Sequence, residues 1–123
     1  MRERLSVITP EITELSDLCV RCGRIDPELY GKYDVKRGLR DINGKGVVAG
    51  LTEISEIRST KLVDGKEVPC EGELFYRGYN IKKLVNGFLS EGRFGFEETV
   101  YLLLFGELPN RKQLDDFSAI LGN

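Results

Sequence analysis

The sequence predicts a mainly α, multihelical fold with a small antiparallel β-sheet or hairpin near the middle of the chain. Apolar residues recur at helical spacing near both ends of the chain, behind residues that favour helix starts. Between them, short β-branched segments flank an Asp64-Gly65 pair that is typical of a two-residue hairpin turn. A third observation is the segment Phe96–Phe105, which is apolar on nearly every side and predicts a helix surrounded by protein.

The composition limits the functions that the chain can have. A chain of 123 residues buries about two thirds of its unfolded surface, enough for one modest core. The net charge of −2 indicates no basic surface for nucleic acid or anionic membranes. The first residues precede no signal-like apolar segment, so we expect a cytoplasmic protein with reduced cysteines. Because the chain has no histidine, it cannot assemble a Ser-His-Asp or Cys-His relay.

The first predicted helix begins at Thr9, an N-cap residue, with Pro10 at the first helical position, and it ends at Gly23. It is amphipathic and about three turns long, so it needs a partner surface. That partner is either the rest of the fold or another subunit. Its apolar face contains Ile12, Leu15, Leu18, Cys19 and Cys22.

A short second helix and a polar connection follow. Asp26-Pro27-Glu28 repeats the cap-then-proline pattern and predicts one turn of helix that ends near Gly31. The polar, glycine-containing segment Tyr33–Lys45 predicts a connection, with a turn at Asn43-Gly44.

The middle of the chain predicts a small sheet that packs on helices, since few-stranded sheets are unstable alone. Its hairpin has a type I′ turn because Asp-Gly favours positive φ at both positions. A strand rich in aromatic residues follows and ends at a glycine turn. The predicted strand segments are Gly46–Thr52, Ile54–Arg58, Lys61–Val63, Lys66–Val68 and Gly72–Tyr79.

Three helices are predicted after the sheet. The first begins at the N-cap Asn80, and the second, Phe96–Phe105, follows Gly95 and ends at Gly106 in the C′ position. The third begins at Asn110 with Gln113 three positions on, a capping-box arrangement. The apolar faces of the first and third contain Ile81, Leu84, Val85, Phe88, Leu89, Leu114, Phe117, Ile120 and Leu121.

Cys19-Val20-Arg21-Cys22 has the C-x-x-C spacing of redox and zinc sites. A redox pair is expected at a helix N-terminus, but this pair falls in the last predicted turn, where the helix dipole opposes a thiolate. A zinc site would gain only Cys70 as a third ligand, with no histidine to complete it. We therefore interpret the pair as small apolar residues on a buried face.

Three other patterns have structural explanations. Gly44-x-Gly46-x-x-Ala49 fits a relaxed dinucleotide fingerprint, but it lacks the preceding buried strand and following helix, so we reject it. The adjacent carboxylates Glu97-Glu98 and Asp115-Asp116 diverge by about 100° on a helix and do not face one cleft.

The basic residues Lys36, Arg37 and Arg40 are a candidate anion site, but a solvated loop is the favoured interpretation because Asp34 and Asp41 lie nearby in sequence.

Aromatic residues are concentrated in the second half of the chain, and few basic residues alternate with them, so a core explains them better than a nucleobase-stacking surface. Arg77 is a charge among these apolar residues, and we expect a carboxylate or backbone partner for it. The aromatic set is Phe75, Tyr76, Tyr79, Phe88, Phe94, Phe96, Tyr101 and Phe105.

The segments GELFYRGYNIKKL (72–84) and FEETVYLLLFGELP (96–109) resemble the amino-terminal part of a citrate synthase. RGLRDINGKGVVAGLTEISEI (37–57) resembles the opening strand of the bacterial form of that family. The likeness runs from about Asp26 to the last residue. It implies a parent enzyme of the tricarboxylic acid cycle that condenses acetyl-CoA with oxaloacetate to citrate and CoA. Such enzymes are mostly helical, two-domain dimers.

The resemblance also implies that the family's catalytic histidines and aspartate lie downstream of Asn123. We therefore expect one amino-terminal fragment of the large domain, with a helical arm (1–33), a loop and small sheet (34–79) and helices (80–123). We expect this fragment to be inactive alone, without catalytic, cofactor-binding or metal-binding residues, and to form a homodimer. The alternatives are a non-catalytic oligomerisation or regulatory module and a fragment of a 2-methylcitrate synthase, which would prefer propionyl-CoA.

Overall fold

A computed structural model of the chain describes residues 7–36, 38, 40 and 46–122. Within these residues, helices combine with one small antiparallel sheet, as the sequence predicts. No helix in this part is long and apolar enough to cross a membrane. The elements in chain order are α1 (Pro10–Cys22), α2 (Glu28–Lys32), β1 (Ser55–Val63), β2 (Lys66–Tyr76), β3 (Tyr79–Asn80), α3 (Ile81–Ser90), α4 (Phe96–Phe105) and α5 (Arg111–Leu121).

The β1–β2 hairpin confirms the predicted turn. Val63 pairs with Lys66, and the two residues between them have positive φ angles, 50° at Asp64 and 74° at Gly65. These angles are those of a type I′ turn, whose twist matches the flanking strands. The two strands predicted before the turn, Ile54–Arg58 and Lys61–Val63, form one continuous strand, β1. Its pairing with β2 has a register shift between Arg58 and Thr60.

The predicted strand over Gly46–Thr52 is wrong. Among the described residues, Gly46 makes a single bridge, with Arg40. The backbone carbonyl of Val48 accepts a hydrogen bond from the Lys36 amide at 2.7 Å. β-Branched residues favour a strand only where a neighbouring strand presents a ladder to pair with. The described part of the chain offers this segment no such neighbour. The predicted Asn43-Gly44 turn lies outside the described residues.

The first two helices begin as predicted. The hydroxyl of Thr9 accepts a hydrogen bond from the Ile12 amide at 3.4 Å, and Gly23 follows the last turn of α1. The carboxylate of Asp26 accepts from the Glu28 amide at 3.0 Å, and α2 extends one residue beyond Gly31. Both starts rest on local chemistry, in which a side-chain oxygen satisfies an amide that has no helical partner.

The buried core lies between α1, α4 and α5. Tyr101 and Phe105 of α4 and Phe117 of α5 pack edge to face, with ring centroids 4.6, 5.5 and 5.8 Å apart. Leu15, Leu18 and Cys19 of α1 pack against this cluster. The partner that α1 requires is therefore the rest of the fold.

The boundaries of α4 and α5 are confirmed. Gly106 ends α4 with φ 85°, a left-handed conformation that glycine adopts without steric cost. Asn110 and Gln113 form a reciprocal capping box, in which each side chain accepts from the other residue's amide, at 2.8 and 2.9 Å. The short loop between these caps directs α5 back onto α4.

The prediction that protein surrounds α4 is wrong for the described residues. Tyr101, Leu102 and Phe105 are buried, but Phe96 is 69% exposed and Leu104 is 42% exposed. α1 and α5 lie against one side of α4. The core interpretation also fails for Phe94, which is 94% exposed at the corner between α3 and α4.

α3 begins at the predicted cap, where the side chain of Asn80 accepts from the Lys82 amide at 2.9 Å. Leu84 is buried, whereas Leu89 near the other end is 62% exposed. The Phe88 ring lies against Gly95 so closely that a Cβ at that position would overlap it. Gly95 thus permits the tight corner from α3 into α4.

Candidate functional site

Arg77 occupies the junction between the sheet and the helices. Its Nε and Nη2 donate to the backbone carbonyl of Leu103 at 3.1 and 2.9 Å, and its Nη1 donates to the carbonyl of Cys22 at 3.5 Å. Both carbonyls lie in the last turns of helices, α4 and α1, where backbone oxygens lack helical donors. The expected partner for Arg77 is confirmed, and it is backbone rather than carboxylate.

The backbone of Arg77 forms a tight turn that also fixes the direction of its side chain. Arg77 and Gly78 have φ angles of 47° and 84° and form a second two-residue turn, with Tyr76 paired to Tyr79. Positive φ is uncommon for residues other than glycine. The Arg77 amide also donates to the Ile54 carbonyl at 2.9 Å, so the turn is held from both sides. The guanidinium is thereby directed at the two helix ends.

A small cavity of about 430 Å³ lies beside this junction. Its lining combines Arg77 with Glu53 and Glu107 and with the end of α4 at Phe105 and Gly106. Carboxylates and helix C-terminal carbonyls favour positive charge, and the guanidinium of Arg77 supplies it. Cys22 also lines this cavity. The hydrogen bonds of Arg77 therefore join the sheet to the ends of two helices.

A larger groove of about 680 Å³ separates α1 from α5. Its floor is apolar and includes Leu15, Leu18, Tyr101, Phe117 and Ile120. Glu11, Glu14, Asp17, Arg21 and Asp116 line its polar margin. We call this cavity the α1–α5 groove.

The adjacent carboxylates are in structural positions, as interpreted from the sequence. Glu98 forms an ion pair with Arg93, and Glu97 beside it lies in the first turn of α4. On α5, Asp115 pairs with Arg111 and Asp116 with Lys112, each four residues apart. Exposed pairs of this type contribute little to stability, because solvent screens them.

The shifted pKa values have local causes. Hydrogen bonds to Glu98 and Glu91 raise the pKa of Arg93, and the hydrogen bond to Arg58 lowers the pKa of Glu56. Burial raises the pKa of the Tyr101 phenol above its ordinary value. None of these shifts brings an acid or base towards neutral pH, where general acid–base catalysis is most effective.

Among the described residues, the cysteines and Lys36 lie in different surroundings. Cys19 packs against the core cluster, as interpreted, and all three cysteines are free and half-buried. Within the described residues, no group of three or more metal-binding side chains is arranged to hold an ion. Of the basic trio, Lys36 pairs with Asp34 at 2.8 Å, and Arg37 lies outside the described residues.

The chain is similar to known proteins of one enzyme family. A family model described as "Citrate synthase, C-terminal domain" matches residues 38–123. A citrate synthase from Saccharolobus solfataricus is 42% identical over 69 residues, 55% of this chain and 15% of the relative.

Two further relatives are named 2-methylcitrate synthases. One, from Corynebacterium glutamicum, is 36% identical over 85 residues, 69% of this chain and 17% of the relative. Another, from Mycobacterium tuberculosis, is 34% identical over 92 residues, 75% of this chain and 18% of the relative. The chain therefore spans 15% to 18% of the length of these relatives. No solved structure matches it significantly.

Proposed function

Because this chain belongs to the citrate synthase family, we propose that it is part of a citrate synthase. The whole enzyme would condense acetyl-CoA with oxaloacetate and release citrate and CoA within the tricarboxylic acid cycle. The observation that carries the proposal is the family match over residues 38–123. We further propose that this chain is the amino-terminal part of the large domain, that the enzyme is a cytoplasmic homodimer and that residues 1–33, 34–79 and 80–123 form its helical arm, sheet region and helices.

The role we propose for these residues is structural. Arg77 donates its hydrogen bonds to the ends of α1 and α4. The carboxylates of Glu98, Asp115 and Asp116 are paired with cations on their own or adjoining segments. Groups held in this way support helix placement. The reacting groups would then come from other parts of the family protein.

A second candidate is a 2-methylcitrate synthase, which would accept propionyl-CoA. It is favoured by the relatives of that name from Corynebacterium and Mycobacterium. The two candidates differ in the acyl group that the whole enzyme accepts. They share the proposed structural role of this chain.

The first test measures thiol release by the 123-residue chain with oxaloacetate and either acetyl-CoA or propionyl-CoA. We expect none above the uncatalysed rate, because the chain has no histidine to assist carbonyl or methyl activation. Thiol release that depends on both substrates would contradict the structural role.

The second test replaces the matching 69-residue segment of the Saccharolobus enzyme with the corresponding part of this chain. We expect a folded chimera that releases thiol and keeps the acyl preference of its host. A matched chimera in the Mycobacterium enzyme should likewise keep its own host's preference. A chimera that folds, as shown by native-like circular dichroism, but has no activity would contradict the proposal that this segment can serve as the scaffold of a related enzyme. A changed acyl preference would show that the segment carries specificity.

A further inference from the structure

Cys19 and Cys22 lie three positions apart in the last turn of α1, and both are free and half-buried. Side chains at this spacing share one face of a helix, with their Cβ atoms about 5–6 Å apart. A disulfide requires about 3.5–4.5 Å between its Cβ atoms, so the pair cannot form one without distorting the turn. Cys19 also packs against the core cluster, which holds the turn in place. The helix therefore keeps two thiols together at a separation too wide for a direct bond.

A metal ion between the two sulfurs suits this separation. A zinc–thiolate bond is about 2.3 Å long, so two sulfurs on opposite sides of an ion of similar size lie about 4.6 Å apart. Within the described part of the chain, no third metal-binding side chain joins the pair, so these residues do not supply the four-ligand shell of zinc. Thiolates favour soft ions, and Cu(I) is a soft ion that is stable with two thiolate ligands.

The surroundings of the pair balance the charges of such a site. Two thiolates and one monovalent cation together carry a single net negative charge. The C-terminal end of a helix disfavours isolated thiolates but favours a cation between them. Arg77 lies at this helix end, where its Nη1 donates to the Cys22 carbonyl at 3.5 Å, and its guanidinium offsets the remaining negative charge. Cys22 also lines the cavity beside Arg77, which gives an ion a path to the thiols.

We propose that Cys19 and Cys22 form a two-coordinate binding site for Cu(I). Binding forms two metal–sulfur bonds and releases both thiol protons to solvent, with no change in oxidation state. Both ligands come from one turn of α1, so the site requires no ligand from another segment or another chain. Both also precede residue 38, where the family match begins, so the proposal does not depend on the proposed enzymatic function.

The probe for this proposal is Cu(I), presented to the full chain without oxygen as its coloured complex with bicinchoninate. We expect each chain to withdraw one Cu(I) ion, and the bound ion to protect Cys19 and Cys22, but not Cys70, from alkylation. Cys22→Ser should lower the affinity by more than about 100-fold, the upper range for loss of an outer-shell partner. Cys70→Ser should leave the affinity unchanged. Equal affinities of the unsubstituted chain and Cys22→Ser would overturn the proposal.

A second comparison tests the spacing while keeping the number of thiols. Arg21→Cys, Cys22→Ser places the two cysteines of α1 two positions apart, where helix side chains do not face each other. This double variant should bind Cu(I) as weakly as Cys22→Ser, whereas Arg21→Ser, which removes the same charge, should bind like the unsubstituted chain. Circular dichroism checks that α1 stays folded in each variant. Tight binding by the double variant, or one ion shared between two chains, would show general affinity for thiols and would overturn the proposal.

Discussion

The helical core and the hairpin arm of this chain are stabilised in different ways. We define the helical core as α1, α4 and α5, and the hairpin arm as β1 with the part of β2 before Leu74. In the part of the chain that the structure describes, α4 contains three of the five buried residues, whereas every residue of β1 is exposed. The hairpin arm is held by its backbone ladder and its Asp64-Gly65 turn. The helical core is held by apolar contacts of α4 with α5 and with α1, which is distant in sequence.

That difference shows where mutations should act. A side chain in the core contributes through the area it removes from water and the space it fills. A side chain on the hairpin arm, such as Ile57 at 79% exposure, contributes little of either. The same chemical change should therefore have unequal effects in the two regions.

The largest expected effect is on Leu102, which is fully buried in α4. Leu102→Ala should lower the free energy of unfolding by about 3–5 kcal/mol, because it leaves a cavity as well as losing apolar burial. The matched control is Leu62→Ala on the hairpin arm, where Leu62 is 73% exposed. That change should cost less than about 0.5 kcal/mol. Urea denaturation measures both, and equal losses would refute the contrast.

An intermediate effect is expected at Arg77, which connects the two regions. Arg77→Asn keeps a residue that tolerates positive φ but removes the donors to Leu103 and Cys22. We expect a loss of about 1–3 kcal/mol, because half-buried helix carbonyls lose their partners. Arg58→Asn, on the hairpin arm, removes an exposed pair with Glu56 and is the control. If Arg58→Asn were as damaging as Arg77→Asn, the connecting role of Arg77 would be wrong.

The smallest expected effect concerns pH. Burial raises the pKa of Tyr101, so the folded state favours the neutral phenol and its contribution to stability is complete below about pH 10. This contribution is lost as the pH rises through the folded-state value. Tyr101→Phe should therefore make the thermal midpoint less sensitive to pH above 10 than that of the unsubstituted chain. Thermal unfolding at several alkaline pH values tests this, with Tyr30→Phe at an exposed position as the control. Identical pH slopes for the unsubstituted chain and Tyr101→Phe would contradict it.

The candidate site was predictable only in part. The sequence predicts a partner for the charge of Arg77, because an arginine among aromatic residues requires compensation. It does not identify the carbonyls of Leu103 and Cys22, which lie 26 and 55 residues away. The α1–α5 groove was not predicted, although carboxylates at positions 14 and 17 beside an apolar helix face are visible in the sequence. The helix alone places those two carboxylates on one side of α1. Only the packing of α1 and α5 against α4 forms the groove that they line.

The sequence by itself determined the features whose cause lies within a few residues. The caps at Thr9, Asn80 and Asn110, the stop at Gly106 and the type I′ turn each depend on one or two side chains and adjacent backbone groups. The tertiary structure alone decided that Gly46–Thr52 forms no strand, that Phe94 is exposed and which helix ends Arg77 joins. The physical reason is that a cap or a turn satisfies its own hydrogen bonds locally. Strand pairing, burial and long-range hydrogen bonds depend on which distant surfaces meet.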